Sequence, residues 1–281
     1  MRMNLRIFDV EHGACSMLVG PNDAMAMIDC GHNSTTGWRP STFLLTKVGR
    51  SYLDYLLITN ADQDHLSDLS TLYNSGIAVR NLMTNFQVPV STLRWIKQQS
   101  GPVTADAEAL LQMRSSFGAP GTGVPFKQAL GGVEVLSFSH TFPKFSNTND
   151  LSCVFFVSFG PFKILFPGDL ERAGWLAHLQ NPNFVAELST TTILVASHHG
   201  RKSGYCEEAF KFFRPQAVVM SDKSIVHGTQ EMVPQYRDAV YGDGIIVVSE
   251  PTRRHVLTTR CDGDILFQVE QNGNYSVKTG L

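Results

Sequence analysis

Thr59-Asn60-Ala61-Asp62-Gln63-Asp64-His65 is the stretch of this 281-residue chain that decides its fold. It ends an apolar run, residues 52–59, which has the length of a buried strand. The polar side chains beyond this strand are those of Asn60, Asp62, Asp64 and His65. Carboxylates and imidazoles are ligands of hard or borderline divalent cations, so the loop is a candidate metal site. Taken alone, Asp64 and His65 are explained equally well as the cap of the helix predicted to follow.

Two later apolar strands end in residues of the same kind. The run 164–166 is followed by Gly168-Asp169, and the run 193–196 is followed by His198-His199-Gly200. Each of these alone has a simpler explanation, either a turn or one buried and one exposed histidine. Loops beyond the carboxyl ends of buried parallel strands are, however, where α/β proteins place reactive groups. Three strands that end in carboxylates and imidazoles therefore predict one convergent metal site.

The composition excludes several classes of protein. Apolar residues make up 43% of the chain and charged residues 17%, which excludes a disordered or low-complexity chain. The formal net charge of −2 gives no overall attraction for polyanions, so contact with nucleic acid would need a local basic patch. The five cysteines include no C-x-x-C pair, and no apolar run approaches the length of a membrane span. Because the start of the chain also has no signal-peptide pattern, we expect a soluble cytoplasmic protein with reduced thiols.

The order of the predicted elements favours one α/β domain over residues 1–281. Short strands come first, helices appear later, and no linker separates the halves. Residues 90–116 are predicted to form two helices broken at Gly101-Pro102, and 117–125 a loop.

The motifs at the strand ends resemble those of the metallo-β-lactamase-fold hydrolases. Residues 59–65 are similar to the signature T-H-x-H-x-D-H, residues 167–169 to the later Asp motif, and residues 197–204 to the final His motif. Within this fold the chain resembles the ComEC-type branch, the metallohydrolase domain of the bacterial DNA-uptake channel. Further similarities to that branch lie at residues 9–14, 28–31, 149–152 and 227–228, and the resemblance spans roughly 5–270. It implies a four-layer αββα sandwich with the metal site at one edge. The region around 86–126 departs most from the family pattern and is predicted to be a helical and loop insertion, either a lid over the site or an oligomer contact.

The resemblance also implies two neighbouring metal sites that share Asp169. By position, the second site would use Asp64, His65, Asp169 and His198. The first site would use Asn60, Asp62 and Asp169, with His140 or Asn149 as the remaining ligand. Asn60 stands where the family signature has His, so the first site is rich in oxygen and poor in nitrogen. Such a site favours Mn²⁺ or Mg²⁺ over Zn²⁺, and we predict one firm and one labile site.

The activity implied by the resemblance is metal-dependent hydrolysis of a phosphodiester, as by a nuclease or a nucleotide phosphodiesterase. A divalent ion lowers the pKa of bound water to about 7, which supplies a nucleophile at neutral pH. The residues assigned to catalysis are Asp64, His199 and His227, with either histidine as proton donor to the leaving oxygen. The residues assigned to phosphate binding are Arg201, Lys202 and Lys223. The predicted partner is a nucleic acid or nucleotide and not a membrane; a second copy of the chain, or a partner encoded with it, stays open.

Two alternatives to this activity stay open at the level of sequence. The same sandwich also hydrolyses lactams, lactones, thioesters and RNA in other proteins, so a non-phosphate ester or lactone is a second substrate class. The other alternative is a metal-binding interaction protein whose first metal site is degraded, and Asn60 is its main support. His12 and His32, in loops near the first strands, are further candidates for contact with substrate.

Overall fold

Two β-sheets form the centre of the protein. The computed structural model describes residues 1–117, 126–224, 228, 231–248, 250 and 252–281. In this part of the chain the first sheet has seven strands, in the spatial order Tyr275–Thr279, Ile265–Glu270, Arg2–Ile7, Ser16–Val19, Met25–Ile28, Tyr55–Leu57 and Leu82–Met83. The last three strands in this order run parallel to one another, and the other neighbours are antiparallel.

The second sheet is also mixed. Its strands lie in the spatial order Val256–Thr258, Ala217–Met220, Ile193–Val195, Phe162–Phe166, Cys153–Phe159 and Glu134–Ser139. The first four in this order are parallel, and the last two join by antiparallel pairing. Two small pairs complete the strands: Ile245–Ile246 with Arg253–Arg254, and Tyr52–Leu53 with Ala78–Val79.

Apolar side chains from the facing sides of the two sheets fill the space between them. In Arg2–Ile7 the alternate residues Met3, Leu5 and Ile7 are buried, as the period of two along a strand requires. They belong to one cluster with the alternate residues of Cys153–Phe159, and the remaining apolar residues of that strand pack on its outer side. Burial on both faces explains why this strand is an unbroken apolar run.

Helices cover the outer faces of both sheets. Over the first sheet lie Pro40–Phe43 with the π-helical turn Leu44–Val48, then Gln63–Leu66, Leu69–Asn74, Val90–Gln98 and Ala105–Phe117. Over the second sheet lie Arg172–His178, Pro182–Ser189 and Val233–Ala239. The other helical segments are Phe126–Ala129, Thr259–Asp262 and the 3₁₀ turns Ser197–Gly200, Lys202–Gly204 and Glu207–Lys211.

The order of layers is helix, sheet, sheet, helix, which confirms the predicted αββα sandwich. The two helices expected in residues 90–116 are present as Val90–Gln98 and Ala105–Phe117, and both pack on the first sheet. Residues 118–125 of the predicted insertion lie outside the described part of the chain. No described helix combines the length and the apolar character that crossing a bilayer requires.

The carboxyl ends of strands from both sheets meet at one edge of the sandwich. In the first sheet, Asp29 directly follows Met25–Ile28, and its amide donates to the carbonyl of Leu57 at 2.8 Å. The next strand end is tied to the second sheet, since the carbonyl of Thr59 accepts from the amide of Cys153 at 2.7 Å. The loops after these strands therefore face the loops after Phe162–Phe166 and Ile193–Val195.

Candidate metal centre

Four side chains from three separate stretches of the sequence meet at this edge: Asp64, His65, Asp169 and His199. One potential ligand atom from each lies within 4.8 Å of all the others. Nε2 of His65 is 2.9 Å from Oδ1 of Asp169. Nε2 of His199 is 3.2 Å from Oδ2 of Asp64 and 3.4 Å from Oδ1 of Asp169. Two carboxylates and two imidazole nitrogens form a donor set for a divalent cation, and we call these four residues the His/Asp group.

Backbone hydrogen bonds hold the loops that carry these residues. The carbonyl of His65 accepts from the amide of Cys30 at 2.7 Å, so its helix is fixed to the end of a neighbouring strand. In the second sheet, the amide of His198 donates to the carbonyl of Gly168 at 3.0 Å, which joins two loops of the site. The positions of the side chains are therefore set by buried strands rather than by contacts among the side chains alone.

The ring of His65 is oriented by a residue outside the group. Its Nδ1 is 2.9 Å from Oδ2 of Asp29, and Asp29 is itself held by the amide and hydroxyl of Thr59 at 2.7 and 2.5 Å. A proton on Nδ1 that is donated to Asp29 leaves Nε2 facing the group. Burial opposes the charged form of this ring, but the carboxylates of Asp169 and Asp29 raise the pKa of His65 well above its usual value.

The ring of His199 is oriented by a backbone carbonyl, and its Nε2 faces the two carboxylates. Its Nδ1 is 3.0 Å from the carbonyl oxygen of Ser221, and because a carbonyl can only accept, Nδ1 carries a proton. Its Nε2 is buried and has no hydrogen-bond partner among the residues that the structure describes. A buried nitrogen left in this state is costly unless a ligand binds it. The His/Asp group therefore fits a divalent ion.

The two carboxylates are ionised at neutral pH. Burial alone would raise the pKa of Asp169, but the imidazoles of His65 and His199 lower it. Burial also acts on Asp64, whose pKa is lowered by its contact with His199 and by the nearby His65. The side chain of Asp64 is 28% exposed, whereas those of His65, Asp169 and His199 are at most 4% exposed. The group is therefore open to solvent on the side of Asp64, as a catalytic metal site must be.

Three residues around the group have backbone conformations that cost energy. Asp29, His198 and His199 have φ values of 58°, 51° and 56°, in the left-handed region. Each costs about 1 kcal/mol for a residue with a Cβ atom. Non-glycine residues in this conformation are concentrated at functional sites, where the surrounding structure holds them in place.

His198 lies outside the His/Asp group, at its rim, and its expected place in the second metal site stays a prediction. Its Nε2 is 3.9 Å from Oδ2 of Asp169, and its Nδ1 faces the hydroxyl of Ser203 at 2.9 Å and Oε1 of Glu171 at 3.5 Å. Both histidines have a left-handed backbone conformation, and the side chain of His199 is buried in the group whereas that of His198 lies at its edge, 14% exposed. Burial is the main cause that lowers the pKa of His198, although the Asp169 carboxylate acts in the opposite direction.

The residues expected to form the first metal site do not join the group either. Asn60 accepts from the amide of Asp62 through its own Oδ1 at 3.0 Å, and its Nδ2 faces Oδ1 of Asn149 at 3.4 Å. His140 is turned away: its Nε2 is 3.0 Å from the carbonyl of Gly174. Its ring is stacked on another imidazole, that of His178, at 3.8 Å. His140 thus lies on the helix-covered side of the second sheet, away from the His/Asp group, and this position does not favour the ligand role expected for it.

Basic residues lie near the open side of the group. Arg201 is half-buried, and its charge helps to lower the pKa of His198 and of His12. The pKa of His12 is about 3, chiefly because of burial, and its ring lies 4.4 Å from that of His199. Lys202 and Lys223 are exposed, and the charge of Lys223 acts on Glu11. His227, the other expected proton donor, lies outside the described residues.

Sequence reasoning missed the residues that support the group. Asp29, Glu171 and Lys97 were not singled out as site residues, although each contacts one that was. Asp29 had a usable signal, because it ends an apolar strand in the same way as Asp169. Glu171 and Lys97 had no such signal in the sequence. Glu171 follows a loop, and Lys97 lies on a helix that only the tertiary fold brings close to Asp62.

Comparisons with known proteins support the architecture. No protein-family model matches the chain, and no curated protein matches it either. Among solved structures, the metallo-β-lactamase fold protein YhfI from Bacillus subtilis aligns with a TM-score of 0.51 and 10% identity over 95% of this chain and 99% of that one. A diphosphatase of the PhnP family aligns with a TM-score of 0.43 and 11% identity over 95% and 98%. CmlA, a diiron β-hydroxylase from Streptomyces venezuelae, aligns with a TM-score of 0.45 and 13% identity over 84% and 51%. At 10% identity the alignment with YhfI concerns the fold alone, and it shows that this chain has the metallo-β-lactamase fold.

Proposed function

We propose that this chain is a metal-dependent hydrolase of phosphodiester bonds that acts on a nucleotide or a single-stranded nucleic acid. The observation that carries the proposal is the buried, unpartnered Nε2 of His199, which in the described chain faces two ionised carboxylates and the ring of His65. The choice of substrate rests on the motif resemblance to the ComEC-type branch. The low net charge of −2 favours a small or single-stranded substrate over duplex binding.

The four residues of the His/Asp group would hold the ion. Asp29 and the carbonyl of Ser221 orient the rings of His65 and His199, so that Nε2 of each faces the group and would be the atom that binds. A divalent ion bound there supplies a nucleophile at neutral pH and polarises the oxygen under attack. Manganese is our first choice of metal and zinc the second, because the donor set combines two carboxylates with two imidazoles.

His198 is placed to donate a proton to the leaving oxygen. The hydroxyl of Ser203 lies 2.9 Å from its Nδ1, and when this hydroxyl donates, the ring proton is on Nε2. Nε2 is the ring atom that faces the group, 3.9 Å from Oδ2 of Asp169. Oε1 of Glu171 lies 3.5 Å from the same Nδ1, and its negative charge favours the protonated ring. In this assignment the roles expected for the two adjacent histidines are exchanged: His199 binds the ion and His198 handles the proton.

Arg201 binds the anionic part of the substrate. Its charge acts on both His12 and His198, which border the open side of the group. A guanidinium binds two phosphate oxygens at once and keeps its charge when it is partly buried. Lys202, next in the chain and exposed, extends this positive surface towards solvent.

A comparison of substrates tests the proposal. With Mn²⁺, the purified chain should hydrolyse bis-p-nitrophenyl phosphate and single-stranded DNA, and should leave a lactone and nitrocefin intact. His199→Ala should abolish this activity, and His255→Ala should retain it, because His255 contacts the distant carbonyl of Gly242. Activity confined to the lactone or to nitrocefin would show that the substrate class is wrong.

A further inference from the structure

A second set of polar residues lies on the same loop as Asp64. By the motif resemblance, Asn60 and Asp62 would be ligands of a neighbouring ion, and Nδ2 of Asn60 donates to Oδ1 of Asn149 at 3.4 Å. The carboxylate of Asp62 would be the one anionic ligand that this loop adds. The state of that carboxylate therefore decides whether a second ion fits.

Both oxygens of Asp62 are already bound by protein groups. Nζ of Lys97 is 2.7 Å from Oδ1, and the hydroxyl of Thr148 donates to Oδ2 at 2.9 Å. The side chains of Lys97 and Asp62 are only 17% and 30% exposed, so the ion pair is partly withdrawn from water. A divalent ion that took the carboxylate would leave this ammonium without its counter-charge, and breaking such a pair is costly.

The neutral candidates for the same site are also in use. Oδ1 of Asn60 accepts a backbone amide, so its oxygen stabilises the turn that leads into the helix. Oδ1 of Asn149 accepts from Nδ2 of Asn60 at 3.4 Å, and Nδ2 of Asn149 donates to Oε1 of Glu171 at 3.1 Å. His140, the nitrogen ligand expected from the sequence, uses its Nε2 at the carbonyl of Gly174. The residues therefore do not fit a second ion.

We infer that the centre holds one divalent ion, and that the ammonium of Lys97 on Asp62 takes the place of a second one. The inference rests on the proposed function, because it presupposes an ion in the His/Asp group. It adds that Lys97, from Val90–Gln98 in the region predicted to be an insertion, supplies the neighbouring positive charge. That helix is thereby a part of the centre and not only a cover for the first sheet.

The test is the stoichiometry of Mn²⁺ binding. The whole chain is stripped with a chelator, dialysed and titrated with Mn²⁺, and free and bound ion are measured by electron paramagnetic resonance. The unmodified chain should bind one equivalent, with the spectrum of an isolated ion. Lys97→Met should bind a second, weaker equivalent with magnetic coupling to the first, because it frees a carboxylate oxygen. Lys144→Met removes a charge from an exposed position on the loop that carries Thr148, and should bind one equivalent.

The outcomes separate this inference from the proposed function. Two coupled equivalents in the unmodified chain would overturn the inference and leave the hydrolase proposal standing. A single equivalent in Lys97→Met, with circular dichroism that shows a folded chain, would overturn the role of Lys97. No bound Mn²⁺ in any of the three proteins would remove the His/Asp group as a metal site, and with it both proposals.

Discussion

Oδ2 of Asp29 lies 2.9 Å from Nδ1 of His65, so a residue outside the His/Asp group decides which nitrogen of His65 faces it. Asp29 can do this because its other oxygen accepts the amide of Thr59 at 2.7 Å, and its backbone is held at a φ of 58°. The carboxylate is 3% exposed and cannot turn to water instead. Asp29, which directly follows the strand Met25–Ile28, therefore determines which nitrogen of His65 faces the group, and His65 follows the neighbouring strand Tyr55–Leu57.

Asp29→Asn should weaken Mn²⁺ binding by roughly 10- to 100-fold, which is the usual effect of removing a residue that orients a ligand. The amide keeps an oxygen for Thr59 but presents a donor to Nδ1 of His65, which favours the proton on the wrong nitrogen. Affinity is measured by competition with a metal indicator. Asp23→Asn is the matched control, because Asp23 is an exposed turn residue with a φ of 60°, a conformation that Asn tolerates. Equal affinity in Asp29→Asn and the unmodified chain would contradict the orienting role.

His199→Ala should chiefly weaken metal binding, whereas His198→Ala should chiefly lower kcat. His199→Ala removes a ligand atom, so Mn²⁺ affinity should fall by more than the roughly 100-fold expected for an orienting residue. His198→Ala leaves all four residues of the His/Asp group in place, so affinity should stay within about threefold while kcat falls by about 10²- to 10⁴-fold, the usual contribution of a proton donor. Metal titration and steady-state kinetics on the two variants check this. If His198→Ala loses the metal and His199→Ala keeps it, the assignment from sequence was right and the one from geometry is wrong.

Part of the site's convergence could be predicted from the sequence. Residues after the carboxyl ends of parallel strands lie at the same edge of a sheet, as Asp169 and His199 do in the second sheet. Asp64 and His65 follow a strand of the first sheet, so their meeting with Asp169 depends on how the two sheets pack. The helix–sheet–sheet–helix order of layers could likewise be predicted from the apolar runs and the motif resemblance, and the structure has this order.

The choice between His198 and His199 could not be predicted in the same way. The two residues are adjacent, and which ring turns inward depends on two successive left-handed backbone conformations that composition and spacing do not reveal. The role of Lys97 could not be predicted from the sequence for a different reason. It is 35 residues from Asp62 in sequence, and only the packing of Val90–Gln98 on the first sheet brings the ammonium to the carboxylate.

Gly31→Ala should disturb the group through the backbone. A Cβ atom at Gly31 would lie 2.5 Å from the carbonyl oxygen of Asp64 and 2.8 Å from that of Ala14, and neither can move alone. Overpacking of this kind costs about 1–3 kcal/mol in the free energy of unfolding, and the displaced Asp64 should also reduce Mn²⁺ affinity. Denaturant unfolding and metal titration measure the two effects.

Gly49→Ala serves as the control for the glycine prediction. Gly49 has a φ of 70°, and no described atom lies within 4 Å of an added Cβ. This variant should lose about 1 kcal/mol through backbone strain and bind Mn²⁺ as the unmodified chain does. A Gly31→Ala protein that loses stability but keeps its affinity would show that the close approach to Asp64 serves folding alone.

His178 should make the fold sensitive to acid, independently of the metal. The ring lies between those of His140 and Phe184, at 3.8 and 4.7 Å, and its Nε2 has no partner in the described structure. Burial chiefly, and then the nearby His140 and Lys144, lower the pKa of His178 from 6.5 to about 3. The unfolded chain therefore binds a proton between these values that the folded chain does not. The free energy of unfolding falls as the pH drops below 6.5, by about 2 kcal/mol near pH 5.

His178→Phe should remove most of this loss, because a phenyl ring keeps the stacking and takes up no proton. Unfolding is measured with chelator present, so that metal binding does not contribute. Near pH 7.5 the imidazole is neutral in both the folded and the unfolded chain, and the two proteins then differ only in packing. Between pH 7.5 and pH 5 the unmodified chain should lose about 2 kcal/mol more stability than the variant. If the two proteins lose the same amount, the histidine takes up its proton in the folded state, and its burial beside His140 does not exclude the charge.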